Sequence, residues 1–250
     1  MIHIFTSVVN RPDFILLQDK LFKKFLKNGY QFHIVDDAVD STISEQFNSI
    51  CSENGFSYYK KPERKLQLNP AQACADTVQW TYDTLIKQNH KEDIVFFCDS
   101  DLFLISEFDV EEYMEDAIIS GLPQYRETIT YMWNGIMFFN MPKMNDLDID
   151  FSDGYVDGVL TDVGGNTYYY FEKNNIKMKE TDVQYPTHYE EIEIQNEEVT
   201  HGYNFELHLD GTFLHYRAAT NWHSNWRGSQ DPLISKTKIF NQIIESILEE

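Results

Sequence analysis

An α/β fold, a mostly parallel central sheet flanked by helices with an irregular α+β C-terminal part, is what this sequence predicts. Three observations lead there. Strand and helix patterns alternate as β-α-β-α-β-α-β over the first hundred residues, the order that builds a parallel sheet covered on both faces. Ile94, Val95, Phe96, Phe97 and Cys98 form an uninterrupted apolar run, as in a strand buried on both sides. Beyond residue 105 the alternation stops, and short strand patterns separated by turns replace it.

Residues 2–9 read as the first strand. Pro12 then suits a first helical turn, because its fixed φ is helical and its missing N–H would be unpaired there anyway. Phe14, Leu17, Leu21, Phe22 and Phe25 follow at helical spacing until Asn28-Gly29 stops the helix. Residues 30–35 give a second strand ending in Asp36-Asp37. A short helix over about 43–54 closes at Gly55, and residues 56–59 give a third strand. Asn69, Pro70 and Gln72 mark a capped helix start, and Ala71, Cys74, Ala75, Val78, Tyr82, Leu85 and Ile86 form its apolar stripe. The strand at 94–98 follows. Past it, residues 132–140 read as a strand with Gly135 near its start, 145–166 as an acidic loop, and 167–215 as short strands and turns. Asp231-Pro232 opens a last helix whose face is Ile239, Phe240, Ile243, Ile244, Ile247 and Leu248.

The 250 residues fit one large domain, and 42% hydrophobic content is ample for its core. The 41 acidic against 20 basic residues leave a net charge of −21, which argues against a nucleic-acid partner or an anionic membrane surface. Cys51, Cys74 and Cys98 are odd in number and unpaired in spacing, as expected of reduced core thiols. The start carries no basic leader and no apolar run approaches 18 residues, so no membrane span and a cytoplasmic location are expected.

The strand at 94–98 runs into Asp99-Ser100-Asp101. If the backbone stays extended, side chains two apart point the same way, so both carboxylates stand at the lip of the strand. Such a pair is a hard-oxygen site for a divalent cation, and leaving it uncompensated would be costly. Parallel sheets bind ligands beyond the carboxyl ends of their strands. Thr6 to Arg11, Asp36-Asp37 and Asp99 to Asp101 all lie at such ends.

With these elements in place, the chain resembles the GT-A glycosyltransferases. The resemblance covers residues 2–142 by element order, centred on the apolar strand into Asp-x-Asp and the Asn134–Asn140 strand. A second piece, Phe213 to His223, looks like the His segment that completes the metal site in several GT-A families. It implies a nucleoside-diphosphate-sugar donor of UDP or GDP type, Mn²⁺ or Mg²⁺, and a glycan or glycoprotein acceptor. Residues 1–105 would form the nucleotide-binding half, and residues 106–250 the acceptor half that completes the metal site. Asp99, Asp101 and His215 would be the metal ligands, with Ser100 between the acids. Thr6, Asn10, Arg11 and Asp36 would meet the nucleotide, Arg64 and Lys65 the donor, and Asn134 and Gly135 the donor sugar. Arg217, Asn221, Trp222 and Lys236 would complete the diphosphate surroundings. Asp162, before Gly164-Gly165, is the first choice of base and Asp157 the second, if the transfer inverts. The Lys-Pro-Trp ending that follows the His in glycogenin-like enzymes is replaced by Asn221-Trp222, which leaves retaining or inverting chemistry open. Tyr168, Tyr169 and Tyr170 read equally as a sugar-stacking face or as a half-buried element.

Two other readings compete. A sugar-1-phosphate nucleotidyltransferase would open with a Gly-rich phosphate loop, and Thr6 to Arg11 contains no Gly. A non-catalytic nucleotide- or glycan-binding module would keep the same elements. Haloacid-dehalogenase phosphatases place Asp-x-Asp near the N-terminus before a pair such as Gly-Thr, whereas here Leu102-Phe103 follows.

Overall fold

The computed structural model describes residues 1–62, 69–194, 205–217, 219 and 231–249. The α/β alternation is present as expected. Strands β1 (Ile2–Val8), β2 (Tyr30–Asp36), β3 (Ser57–Lys60) and β4 (Ile94–Asp99) are all parallel, in the order β3-β2-β1-β4. They are joined by helices α1 (Pro12–Phe25), α2 (Ser41–Asn54) and α3 (Pro70–Thr81), the last continued by a π-turn over Tyr82–Ile86. Each helix start has a local cause. Asp40 caps α2 by accepting from Thr42 N, and Asn69 with Gln72 forms a reciprocal capping box on α3. Gly55, at φ 75°, ends α2 in the left-handed conformation that glycine adopts without strain.

Period-two alternation sorts the strand side chains. Ile2, Ile4, Ile34, Phe96 and Cys98 face α1 and α2, packing on Ile15, Phe22 and Phe47. Phe5, Val35, Val95 and Phe97 face α3, packing on Val78, Tyr82 and Ile86. Both faces are therefore dry, and burying each such side chain contributes on the order of 1.5–3 kcal/mol.

The sheet continues as a hairpin. β5 (Leu102–Leu104) leaves the main sheet, α4 (Val110–Tyr113) follows, and β6 (Ile119–Arg126) pairs with the long β7 (Ile129–Asn140), which runs antiparallel to β4. β7 begins before the expected strand and ends with it at Asn140, and β6 adds a partner that the sequence patterns do not show. Gly121 and Pro123 punctuate β6 like breakers, yet Gly121 sits at an irregularity in the ladder, where a Cβ would come within 2.7 Å of Met132 Sδ.

The segment read as an acidic loop contains a two-stranded hairpin, β8 (Gly154–Val156) and β9 (Val159–Thr161). The next segment corrects the expectation of short strands, since Thr167–Asn174 is a helix, α5. Tyr170 is buried with Phe139 and Phe151, and Asn175, left-handed at φ 49°, ends the helix. Four two-residue strands follow: β10 (Lys179–Glu180), β11 (Val183–Gln184), β12 (His188–Tyr189) and β13 (Ile192–Glu193). β10 completes the seven-stranded sheet at the edge of β6.

A second, antiparallel sheet has the order β11-β14-β15-β5, with β14 (Phe205–His208) and β15 (Phe213–Tyr216). Its outer face packs Phe103, Leu214 and Tyr216 against the last helix, α6 (Asp231–Glu249), through Phe240, Ile243 and Ile247. β5 therefore emerges from the main sheet and is stitched at once to a strand from the far end of the chain. Among the described residues no helix is long and apolar enough to cross a membrane. The thiols of Cys51, Cys74 and Cys98 are all free, as expected.

Candidate functional site

The turn after β4 is held from below. Gln18 lies on the buried stripe of α1, and its amide donates to Asp99 O and Leu102 O, both at 2.9 Å. This brace fixes the reversal through Ser100 that lifts both aspartates above the sheet. Asp101 O accepts from Tyr216 N at 2.8 Å, and Asp101 Oδ2 accepts from Ala219 N at 3.0 Å. Asp101 is thereby pinned to β15, leaving Oδ1 toward His215.

The β5–β15 register sets His215 opposite Leu102. His215 Nε2 lies 3.5 Å from Asp101 Oδ1. On the other side of the ring, Nδ1 lies 2.8 Å from Glu206 Oε2, the directly paired cross-strand residue. Asp99, Asp101 and His215 each offer a ligand atom, and these atoms lie within 4.8 Å of one another. The three expected metal ligands are thus brought together by strand pairing rather than by sequence proximity.

The titration pattern has a clear cause. Burial and then the Asp101 charge push the Asp99 carboxyl up to about 7, against the pull of His215. Burial opposes charge on His215, but its hydrogen bonds to Asp101 and Glu206 outweigh that and raise it to about 10. Burial likewise opposes charge on Glu206, but His208 Nε2 at 3.5 Å, the hydrogen bond from His215 and the Arg217 charge hold it well below the usual carboxylate range. A proton on His215 thus supplies the positive charge that this group of carboxylates requires.

The residues present fit a divalent cation. Two carboxylates and a neutral imidazole form an oxygen-rich donor set. Glu206 is placed to accept the Nδ1 proton and fix the tautomer, the usual support of a metal-binding histidine. Glu206 and His208 are not evident from the motif search. Their signal is two ionisable residues two apart, hence on one face, in the short apolar strand Phe205–His208. Gln18 had a similar signal, as the polar member of a helical stripe of Phe14, Ile15, Leu21 and Phe22.

Around this centre the other expected residues fall into three groups. Some have no other fixed role or lie beside the ligand set. Burial holds the half-buried Cys74 thiol well above its ordinary range, and the charges of Asp99, Asp162, Asp37 and Asp101 add to that effect. Asp162 is exposed in the loop after β9, and its backbone N–H donates to Tyr131 Oη at 3.0 Å. Asn134 and Gly135 lie just beyond the end of β4, whose Cys98 pairs with Ile136. Asn134 is buried, and its Oδ1 finds no hydrogen-bond partner among the described residues. Ser7, opposite Asp99 in the β1–β4 register, has an equally orphaned Oγ. Arg11 stacks over Phe14 at 3.5 Å, pairs with Asp13, and its charge reaches Tyr216 beside His215. Asn10, half-buried, lies in the bend between β1 and Arg11. Arg217 follows Tyr216 and pairs with Glu206 Oε1 at 3.1 Å, with 42% of its side chain exposed.

Others have different work. Thr6 lies inside β1 opposite Cys98, with its side chain on the α1 face, so Ser7 rather than Thr6 stands next to Asp99. Asp36 is fully buried, and its oxygens accept from Ala38 N and Tyr58 Oη at 2.7 Å each, with Lys60 Nζ at 3.1 Å. It fastens the ends of β2 and β3. Lys236 does not reach out from the last helix. It is 5% exposed, donates to Arg217 O at 2.8 Å, and lies over the rings of Phe205 and Tyr216. Gly135 is required by Trp133, whose folded-back ring would lie 1.9 Å from an added Cβ, and not by close approach of a ligand. Asp157 is the first residue of the Asp157-Gly158 turn joining β8 and β9. Both residues have positive φ, as a two-residue hairpin demands, and Asp157 Oδ1 accepts from Tyr169 Oη at 3.0 Å. Gly164 and Gly165 press on Met132 O and Thr161 Oγ1, so they serve packing. Arg64, Lys65, Asn221 and Trp222 lie outside the described residues.

No family model matches the chain, and no curated protein matches it. Solved structures similar to it include a galactosyltransferase, LgtC, in complex with donor and acceptor sugar analogues. It has 12% identity and a TM-score of 0.37, over 59% of this chain and 61% of the other. They also include the mannosyltransferase PcManGT from Pyrobaculum calidifontis, in complex with GDP-Man and Mn²⁺. It has 9% identity and a TM-score of 0.38, over 59% of this chain and 48% of the other. The chain spans less than two thirds of either, and likeness at that level carries no functional weight. The side chains of the site must supply the argument.

Proposed function

We propose that this chain is a metal-dependent glycosyltransferase of GT-A type, moving a sugar from a nucleoside-diphosphate donor to a hydroxyl of a glycan or glycoprotein. The observation that carries the reading is the convergence of Asp99, Asp101 and His215 at the carboxyl end of the parallel strands, with Glu206 behind the histidine. Asp99, Asp101 and His215 would hold Mn²⁺ or Mg²⁺. When bound, the ion supplies Lewis-acid stabilisation of the leaving diphosphate.

The protein's own groups do the rest. Gln18 and the β5–β15 pairing keep the ligand set in place before any ligand arrives. Arg217 and Arg11 supply the local positive charge that a diphosphate needs on a chain of net charge −21. The unpartnered Oγ of Ser7 and Oδ1 of Asn134 await polar atoms of the donor. Asp162, exposed in the loop after β9, takes the acceptor proton in an inverting transfer; its Oδ1 is held by Val163 N at 2.8 Å.

The test is a panel of nucleoside-diphosphate sugars assayed for hydrolysis or transfer with Mn²⁺, with EDTA, and with the Asp101→Ala variant. Turnover of one donor that chelation and the substitution both abolish supports the reading. Turnover indifferent to both removes the metal role. Nucleotide binding by calorimetry without turnover of any donor points instead to a binding module.

A further inference from the structure

A second group of metal-ligating side chains lies elsewhere in the molecule. His3 on β1, His33 on β2 and His90 after α3 converge on the α3 side of the sheet, and each offers a ring nitrogen within 4.8 Å of the others. His3 and Ser7 are four residues apart on one strand, so this cluster lies ~13 Å from the Asp99 end at about 3.3 Å per residue. It shares no residue with that site and needs no assumption about the transferase reading.

We propose that His3, His33 and His90 form a binding site for a zinc-like transition-metal ion that clips β1 and β2 to the connection between α3 and β4. The ring nitrogens divide into two sets. His3 Nδ1 and His33 Nε2 face each other at 3.0 Å. Two imidazoles bound at zinc's usual distance of about 2.0–2.1 Å in a tetrahedron have nitrogens ~3.4 Å apart, so a small opening of this pair admits an ion. The opposite nitrogens point to groups that orient metal-bound histidines. His3 Nε2 lies 3.3 Å from Asp93 Oδ2, His90 Nδ1 lies 3.9 Å from the same oxygen, and His33 Nδ1 lies 3.4 Å from Tyr59 Oη. One carboxylate and one phenol thus stand behind three imidazoles, the support that fixes tautomer and ring angle at histidine metal sites.

The surroundings fit the same chemistry. Phe5 stacks on His33 with centroids 4.3 Å apart and planes within 9°, holding that ring in place. Burial, the main cause for all three rings, lowers their pKa values, His33 to about 3, so neutral imidazoles with free lone pairs prevail at pH 7. His90 and Asp93 are the more exposed members, with 13% and 27% of their side chains accessible, and mark the way in for an ion and a water ligand. All-imidazole donors suit Zn²⁺, Ni²⁺ or Cu²⁺, whereas Asp99 and Asp101 suit Mn²⁺ or Mg²⁺. The two sites therefore differ in what they select.

The experiment uses the full chain carrying Asp99→Ala, Asp101→Ala and His215→Ala, which breaks both other groups of metal-ligating side chains among the described residues. The protein is stripped with a chelator and titrated with Zn²⁺ and with Co²⁺. The proposal expects about one equivalent of tightly held Zn²⁺, a rise in Tm with Zn²⁺, and the intense visible band of four-coordinate Co²⁺. His90→Gln, at the accessible edge where folding is least at risk, should weaken binding by more than about 100-fold. Tyr59→Phe, acting from behind His33, should weaken it by roughly 10-fold. Circular dichroism confirms that each variant folds. A triple variant that takes up no Zn²⁺ and shows no Co²⁺ band overturns the proposal and leaves a neutral hydrogen-bonded trio. Uptake unchanged by His90→Gln overturns it equally.

Discussion

The fate of single side chains turned on what else stood within about 3.5 Å of them. Asp36 and Asp101 are both buried aspartates at strand ends, yet Asp36 is fully used by Ala38, Tyr58 and Lys60, while Asp101 gives one oxygen to Ala219 N and keeps the other toward His215. Sequence position alone does not separate them, because the partners come from other strands. Asp162 and Asp157 separate in the same way: Asp162 is exposed, with its Oδ1 accepting from its neighbour Val163 N, whereas Asp157 is closed into a hairpin turn by Tyr169. Asp162→Asn is therefore expected to lower kcat by about 10²–10⁴ with little change in donor KM, if the transfer inverts, whereas Asp157→Asn stays near wild type. Comparable losses in both would deny Asp162 the role of base. Glu206 makes a distinct prediction. Glu206→Gln removes the carboxylate charge behind His215, leaving at most a neutral amide oxygen to accept from Nδ1, and should weaken Mn²⁺ by roughly 10–100-fold, with the rate recovering at saturating Mn²⁺. A rate that stays low at saturation would place Glu206 in the chemistry itself.

At the scale of elements, the parallel half was legible because a strand buried on both faces and a capped helix leave local signatures. The apolar run at 94–98 and the Asn69-Pro70 cap are of that kind. The hairpin of β6 was hidden by Gly121 and Pro123, which an edge or irregular position tolerates, and α5 by an aromatic run that has no preference strong enough to choose helix over strand. The candidate metal centre was half legible. Asp99 and Asp101 are local, whereas Glu206 and Gln18 matter only through pairing and packing with segments far along the chain. The Gly164-Gly165 corner gives a test of how tightly the loop is bound to β7. An alanine Cβ at Gly164 would lie 2.0 Å from Met132 O, on a backbone at φ +89°. Overpacking against backbone at a left-handed position predicts a loss of at least about 2 kcal/mol, or roughly 4–8 °C in Tm at this chain length. An unchanged melting curve for Gly164→Ala would mean the corner is free to move away.

At the scale of the whole molecule, charge dominates. The 41 acidic and 20 basic residues leave −21 on the chain, and at the site Asp101 faces His215 while Glu206 pairs with His215 and Arg217. Like charges held together in the fold and spread apart in the unfolded chain oppose folding, and the effect acts at long range. The Debye length falls from about 30 Å at 0.01 M salt to about 10 Å at 0.1 M, which is shorter than most separations across a domain of this size. Adding a monovalent salt over that interval should therefore raise Tm, steeply at first and then little. Surface ion pairs such as Lys27 with Glu107 pull the other way, but each contributes only about 0–1 kcal/mol. Mn²⁺ should raise Tm further at the same ionic strength, because it adds binding at Asp99 and Asp101 to screening, and Asp99→Ala with Asp101→Ala should remove that extra rise while leaving the response to NaCl. A Tm that falls with NaCl would show that attraction between paired charges, not repulsion among the unpaired ones, governs the stability of this fold.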